Sequence, residues 1–237
     1  MKILVACEES QAVTIELRKL GHEAYSCDII ECSGGHPEWH IMGDALKIIN
    51  PEFYDGRWGI TPSISFYTAD GEYHQFDGKW DMIIAHPPCT YLTNAGARHL
   101  WKGGVLNQER YEKGMEAKAF FMAFYNADCE RIAIENPVPS RVYELPAYTQ
   151  IVQPYEHGHP HTKKTCFWLK GLPALVPTEI VEPIKGRRFQ QSNGKWRYSC
   201  WEMDQKRGKD RAKERSKTFP GIARAMAEQW AGKAEEE

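Results

Sequence analysis

The sequence has no apolar run near the roughly 20 residues that span a bilayer, which argues against membrane helices. Its opening, MKILVACEES, carries one lysine and a short apolar stretch. It lacks both a long hydrophobic region and a small-residue cleavage site, so it reads as a first strand rather than a leader. No C-x-x-C pair occurs. The seven cysteines (Cys7, Cys27, Cys32, Cys89, Cys129, Cys166 and Cys200) are odd in number and scattered. That argues against a disulfide framework and predicts reduced thiols in the cytoplasm. Internal repeats are absent. Net charge is also small, at −2, but the signs are segregated. Residues 185–217 hold twelve Lys/Arg against four acids, a local balance of +8 that leaves −10 on the rest of the chain. An acidic body with one basic segment points to a polyanionic partner.

What is present is an alternation of strand and helix patterns. Lys2–Ala6 is a short apolar run. Residues 11–20 place apolar side chains at helical spacing, with Gly21 as a C-cap. EAYSCDI, residues 23–29, reads as a second strand ending in Asp28. Such a strand–helix–strand unit predicts parallel neighbours. Residues 40–46 (HIMGDAL) read as a connection holding Asp44, and 63–77 as an inserted hairpin around Asp70-Gly71. Trp80–Ala85 is a buried strand and 108–127 a helix. Arg131–Ile134 is a strand stopping at Glu135-Asn136-Pro137. Residues 151–154 and 165–169 are further strands, and 218–232 a closing helix. The fold class expected is a doubly wound, mostly parallel α/β sheet with a hairpin insertion and a small basic appendage at 172–217. The body comprises 1–171 and 218–237.

In such folds ligands sit at the carboxyl ends of the strands. Glu8, Glu9, Asp28, Cys89, Glu135 and Asn136 all fall at such ends. Pro87 and Pro88 cannot donate ladder hydrogen bonds, so they end the strand and stiffen the turn that presents Cys89. An accessible thiolate there is a nucleophile; a buried one is inert. Glu135 in a crevice suits general acid chemistry, or else a turn before Pro137. Asp28 sits where a nucleotide-like cofactor offers ribose hydroxyls, and Asp44 either meets its base or caps a short helix.

In this order the stretches ILVACEES, Asp28, Asp44, PPC at 87–89, ENP at 135–137, HTKKTCFWLKG at 161–171 and TFPGIARAMAEQWA resemble the DNA cytosine-5 methyltransferases, in a compact form such as phages encode. The resemblance spans nearly the whole chain. It implies a Rossmann-like class I methyltransferase fold and S-adenosyl-L-methionine as cofactor. The cofactor would be held by Ala6, Glu8, Glu9, Ser10, Asp28, Ile29, Asp44, Ala45, His86 and Pro87. Cys89 would be the nucleophile, adding to cytosine C6, while Glu135 engages N3. Pro88, Asn136, Lys163 and Thr165 would contact the base or its strand, with Arg187, Arg188, Trp196 and Arg197 of the basic segment. The partner would be DNA, a duplex with one flipped base or a single strand. The glycine-bearing stretch 90–106 would close over the site as a lid. A monomer in the cytoplasm, of the host if phage-encoded, is the expectation.

Three features depart from the family pattern. The first loop, Ala6-Cys7-Glu8-Glu9-Ser10-Gln11, has no glycine, and either Glu8 or Glu9 is a candidate to hold the cofactor's amino group. Lys163 and Lys164 stand where the family has planar arginine forks. The segment 172–217 is short for a target-recognition domain, which predicts phosphate contacts and stacking with little sequence preference. Other readings stay open. HPPC also resembles the tetrad of amino-methyltransferases acting on adenine N6 or cytosine N4, although Glu135-Asn136 favours C5 chemistry. A degenerate fold that binds nucleic acid without catalysis is another. Cys27, Cys32, His36 and His40 have zinc-like spacing that matches no common finger, and no metal is expected. His157, His159 and His161 are read as polar walls of the site.

Overall fold

The computed structural model describes residues 1–56, 59–97, 99–191, 193–199 and 215–234. In chain order the strands are β1 (Lys2–Ala6), β2 (Glu23–Asp28), β3 (His40–Met42), β4 (Glu52–Gly56), β5 (Gly59–Tyr67), β6 (Tyr73–Asp77) and β7 (Met82–Ala85). Then come β8 (Trp101–Lys102), β9 (Val105–Leu106), β10 (Ile132–Pro137), β11 (Gln150–Val152), β12 (Thr165–Lys170), β13 (Arg188–Gln190) and β14 (Trp196–Tyr198). The helices are α1 (Ala12–Lys19), the single turn α2 (Asn94–Ala97), α3 (Gln108–Tyr125) and α4 (Pro220–Met226), which runs into a π-helical turn at Ala227–Ala231.

Seven strands form one sheet in the order β11-β12-β10-β7-β1-β2-β3. Pairings among β3, β2, β1, β7 and β10 are parallel, and β12 lies antiparallel between β10 and β11. The molecule is therefore mixed α/β with a mostly parallel central sheet. β7, and β1 from Ile3 onward, are apolar at every position because both faces are covered. Ile3, Val5, Met82 and Ile84 point to the side packed by α1 and α4. Leu4, Ala6, Ile83 and Ala85 point to the side packed by Phe121 and Phe124 of α3. That split is the period-two geometry of a strand. The chain runs outward from β1 through β2 to β3, then returns to β7 on the other side of β1. The strand order thus reverses between β1 and β7, and their outgoing loops diverge there.

Several local expectations shift. Residues 40–42 are a sheet strand rather than part of a connection, a three-residue edge too short to show periodicity. β10 runs on through Glu135, Asn136 and Pro137. Its β7 partner stops at Ala85, but β12 continues pairing as far as Thr165 opposite Pro137. The hairpin gains β4 and becomes a three-stranded meander, whose Ile64 and Phe66 pack beside Tyr25 and Trp80. Gly21 does follow α1, in the left-handed region at φ 86°.

The start of the basic segment lies against the body. Leu175 is buried, Trp230 donates to the Pro173 carbonyl (2.9 Å), and Gln229 bonds both backbone groups of Val176. Arg187, Arg188, Trp196 and Arg197 belong to or flank the β13–β14 hairpin. Residues 200–214, with Trp201 and five of the predicted basic side chains, lie outside the described residues. Among the described residues no helix is long and apolar enough to cross a membrane.

Candidate active site

β1 and β7 end side by side, with Ala6 opposite Ala85. The last rung on the β7 side is the His86 backbone N–H donating to the Ala6 carbonyl (2.9 Å), and the two prolines follow. Asn136, fully buried, donates from Nδ2 to the Pro87 carbonyl (3.4 Å). The neighbouring strand thereby braces the turn that carries Cys89. On the β1 side the glycine-free loop puts Cys7 at φ 59° and Gln11 at φ 56°, the left-handed region that glycine enters freely and other residues at about 1–2 kcal/mol. Gln11 holds this turn by bonding the backbone N–H and carbonyl of His36 (3.1 and 2.8 Å) and the Ser26 hydroxyl (3.2 Å).

The loops bound a cavity of about 750 Å³. Cys89 from the β7 turn, Glu135 from β10 and Lys163 from the approach to β12 all line it, together with His86 and Asp28. His86 Nδ1 donates to Glu135 Oε2 at 2.8 Å, with side chains only 9% and 12% exposed. Burial alone would push the imidazole down and the carboxyl up. Their hydrogen bond and mutual charge outweigh it, so the His86 pKa lies above its ordinary value and that of Glu135 below. Both shifts favour the imidazolium beside a carboxylate. Burial pushes the Cys89 thiol up, and the Glu135 charge adds to that; Lys163 and Arg215 pull it down without reversing the upward shift. Cys7 also lines the cavity, but burial followed by Asp28, Cys27 and Asp44 all push its thiol up. Of the two, Cys89 is the thiol that cations can activate.

A second lobe of about 710 Å³ shares Cys7, Asp28, Pro88 and Thr90 with the first. Its wall combines Asp28, Ile29, Gly43, Asp44 and Ala45 with Ala117 and Phe120 of α3. Apolar side chains beside strand-end carboxylates suit a flat ring system bearing hydroxyls. Asp28 accepts from the Ile30 N–H (3.3 Å), and burial raises its pKa. Asp44 accepts from the Leu46 N–H (3.0 Å), so it also caps the turn Ala45–Lys47.

No protein-family model matches the chain, and no curated protein matches it.

The structure brings most of the expected residues together. Glu8, Glu9, Ser10, His86, Pro87, Pro88, Cys89, Glu135 and Lys163 line the first lobe, and Ile29, Asp44 and Ala45 the second. Five expectations need correcting. Ala6 is fully buried within β1, its carbonyl accepts from His86, and it lines neither lobe. Glu8 accepts from the Val13 N–H (2.6 Å), the Thr14 N–H (3.3 Å) and the Thr14 hydroxyl (2.7 Å). Its carboxylate is spent on the start of α1 rather than on a ligand's amino group. Asn136 braces the turn and does not line the cavity. Thr165 is buried in β12, with its hydroxyl on the Lys163 carbonyl (3.4 Å). Of the histidines of HGHPH, two serve packing rather than the site: His157 bonds Thr178 (3.0 Å) and His159 Nε2 accepts from the Gly221 N–H (2.9 Å), docking α4.

Arg187, Arg188, Trp196 and Arg197 do not line either lobe. They sit on the exposed hairpin, where Arg188 stacks over the Trp196 ring at 4.5 Å. For the zinc-like set, both ring nitrogens of His40 are engaged, by Ser26 and by the Ile30 carbonyl (2.9 Å each). Among the described residues no group of three potential ligands is placed to hold a metal.

Sequence reasoning missed Arg110 and Arg215, both lining the first lobe. Arg110, in the first turn of α3, donates to the carbonyls of Gly96 (3.1 Å) and Thr90 (3.4 Å) and so ties the 90–97 loop to the helix. Gly96 is needed there: a Cβ would meet the Thr90 carbonyl oxygen at 2.3 Å. The glycine was a visible signal, but its arginine partner was not.

Proposed function

We propose that this chain is an S-adenosylmethionine-dependent methyltransferase acting on cytosine C5 in DNA, with a class I Rossmann-like fold. The observation that carries this reading is the shared wall: Cys89, from the turn after β7, and Glu135, in β10 just beyond the end of β7, face one cavity that continues into a lobe holding Asp28 and Asp44. An antiparallel strand between the last two parallel-running ones, β12 between β10 and β11, is consistent with it.

S-adenosylmethionine, when bound, supplies an electrophilic methyl group on a sulfonium centre. The residues present fit such a group. Ile29, Ala117 and Phe120 offer an apolar seat for adenine, and Asp28 stands at the strand end where ribose hydroxyls are held. Because Glu8 caps α1, that helix end is closed to a phosphate, which suits a cofactor without one.

Cytosine C5 is a poor nucleophile. Addition of the Cys89 sulfur to C6, with a proton or hydrogen bond delivered to N3 by Glu135, makes C5 enamine-like. Lys163 and Arg215 favour the thiolate that burial disfavours. Asn136, through Pro87, keeps the sulfur in place. Reaching the ring requires an extruded nucleotide or a single strand, and the first lobe has room for one nucleotide. Arg188 and Trp196 on the hairpin supply phosphate contact and stacking, so sequence preference is low. The protein acts as a monomer in the cytoplasm.

The test is mass spectrometry of nucleosides from DNA incubated with the protein and methyl donor. Wild type yields 5-methylcytosine, and Cys89→Ala and Cys89→Ser yield none. N6-methyladenine or N4-methylcytosine that survives Cys89→Ser would replace C5 chemistry by amino methylation.

A further inference from the structure

We propose that His86 and Glu135 form one proton-sharing unit, in which His86 is the positioning residue that holds Glu135 ionised at rest and supplies the proton that Glu135 passes to the substrate base. This rests on the function proposed above and adds a residue to it.

Three observations carry it. His86 immediately precedes the double proline, and its backbone N–H is the last rung between β7 and β1, so the ring's origin is fixed. Its Nδ1 lies 2.8 Å from the Glu135 carboxylate with both side chains about nine-tenths buried. Its other nitrogen, Nε2, is buried without a hydrogen-bond partner among the described residues. An imidazole serving only structure ordinarily has both nitrogens satisfied, as His40 has. The charged groups facing the ring are Glu8 from the β1 loop, Glu135 from β10 and Lys163 from the approach to β12. Burial and Lys163 oppose the imidazolium, while the hydrogen bond and charge of Glu135, with Glu8, favour it and raise the His86 pKa.

The proton balance is simple. At rest the unit carries one exchangeable proton, on the imidazolium. When a base nitrogen needs it, the Nδ1 proton moves to Oε2, and the carboxyl's proton moves to the base. His86 is left neutral and Glu135 again a carboxylate. On product release the same path runs backward. A carboxylate held ionised could not deliver a proton by itself; the neighbouring imidazolium removes that difficulty.

Two readouts test this. In ¹⁵N-labelled protein, long-range imidazole NMR follows His86 against pH, with no substrate present. In wild type both ring nitrogens stay protonated above the ordinary histidine range, and Glu135→Gln returns the titration to or below about 6.5. Identical titrations in the two proteins would overturn the unit. In single-turnover methylation, His86→Gln lowers the rate about 100-fold. It also moves the alkaline fall-off to lower pH, because a lone carboxyl holds its proton less tightly than an imidazolium. A wild type that methylates, with the His86→Gln rate and pH profile unchanged, defeats this inference alone. A wild type that methylates nothing defeats the function beneath it. Should His86→Gln not fold, the wild-type and Glu135→Gln titrations still decide.

Discussion

Glu135→Gln keeps the shape of the side chain and removes its charge, so its effect on stability reports the buried pair directly. Both members are about nine-tenths buried, and solvent screens them little. Orphaning one partner of such a pair costs about 3–5 kcal/mol when the survivor must stay charged. His86 escapes part of that by releasing its proton, and Gln still accepts a neutral hydrogen bond. The expected loss is therefore about 2–4 kcal/mol, a fall in Tm of about 4–16 °C for a chain of this length. The pH dependence follows from the two shifts. The His86 pKa is raised, so its contribution is complete below about 6.5 and is lost as pH rises through the raised value. The Glu135 pKa is lowered, so its contribution is complete above about 4.3 and is lost as pH falls through the lowered value. The gap between wild type and variant should be widest between about pH 4.5 and 6.5 and should narrow on either side. Urea denaturation of both proteins at half-unit steps from about pH 3.5 to 9 measures it. A gap that does not change with pH would show that the pair contributes shape rather than charge.

Three further outcomes are expected. Gly221→Ala would put a Cβ 1.9 Å from the His157 carbonyl oxygen, so α4 cannot stay docked. Stability should fall by more than about 3 kcal/mol, and an unchanged urea midpoint would refute the close approach. Asp28→Asn should weaken S-adenosylmethionine binding about tenfold in calorimetry without loss of fold, since the carboxylate lines both lobes; equal affinity would move the cofactor away from β2. Arg188→Ala with Arg197→Ala should reduce the slope of log affinity against log salt for single-stranded DNA by about 1.4, about 0.7 per phosphate contact. An unaltered slope would remove the hairpin from the DNA path.

Much of the architecture is legible in short stretches. KILVA and MIIA declare strands covered on both faces, Gly21 declares a helix end, and Pro87-Pro88 declares the end of β7. Asp28, Cys89 and Glu135 read as standing at or just past strand ends in the sequence, and the structure gathers all three around one cavity, with Glu135 inside the extended β10. The edge strand β3 and the extension of β10 were not legible, because each depends on a partner strand rather than on its own residues. The small basic appendage was drawn on charge, which says nothing of Leu175 and Val176 reaching back to the body.

Composition and periodicity, then, determined the class of fold and a roster of chemically able side chains, since both act over a few neighbouring residues. Only the tertiary structure decided how those side chains are used. Glu8 turns to its own helix, Asn136 turns inward to Pro87, and His86 meets a carboxylate 49 positions away. Those choices follow from the order of strands in the sheet, which sets side by side groups that no local pattern connects.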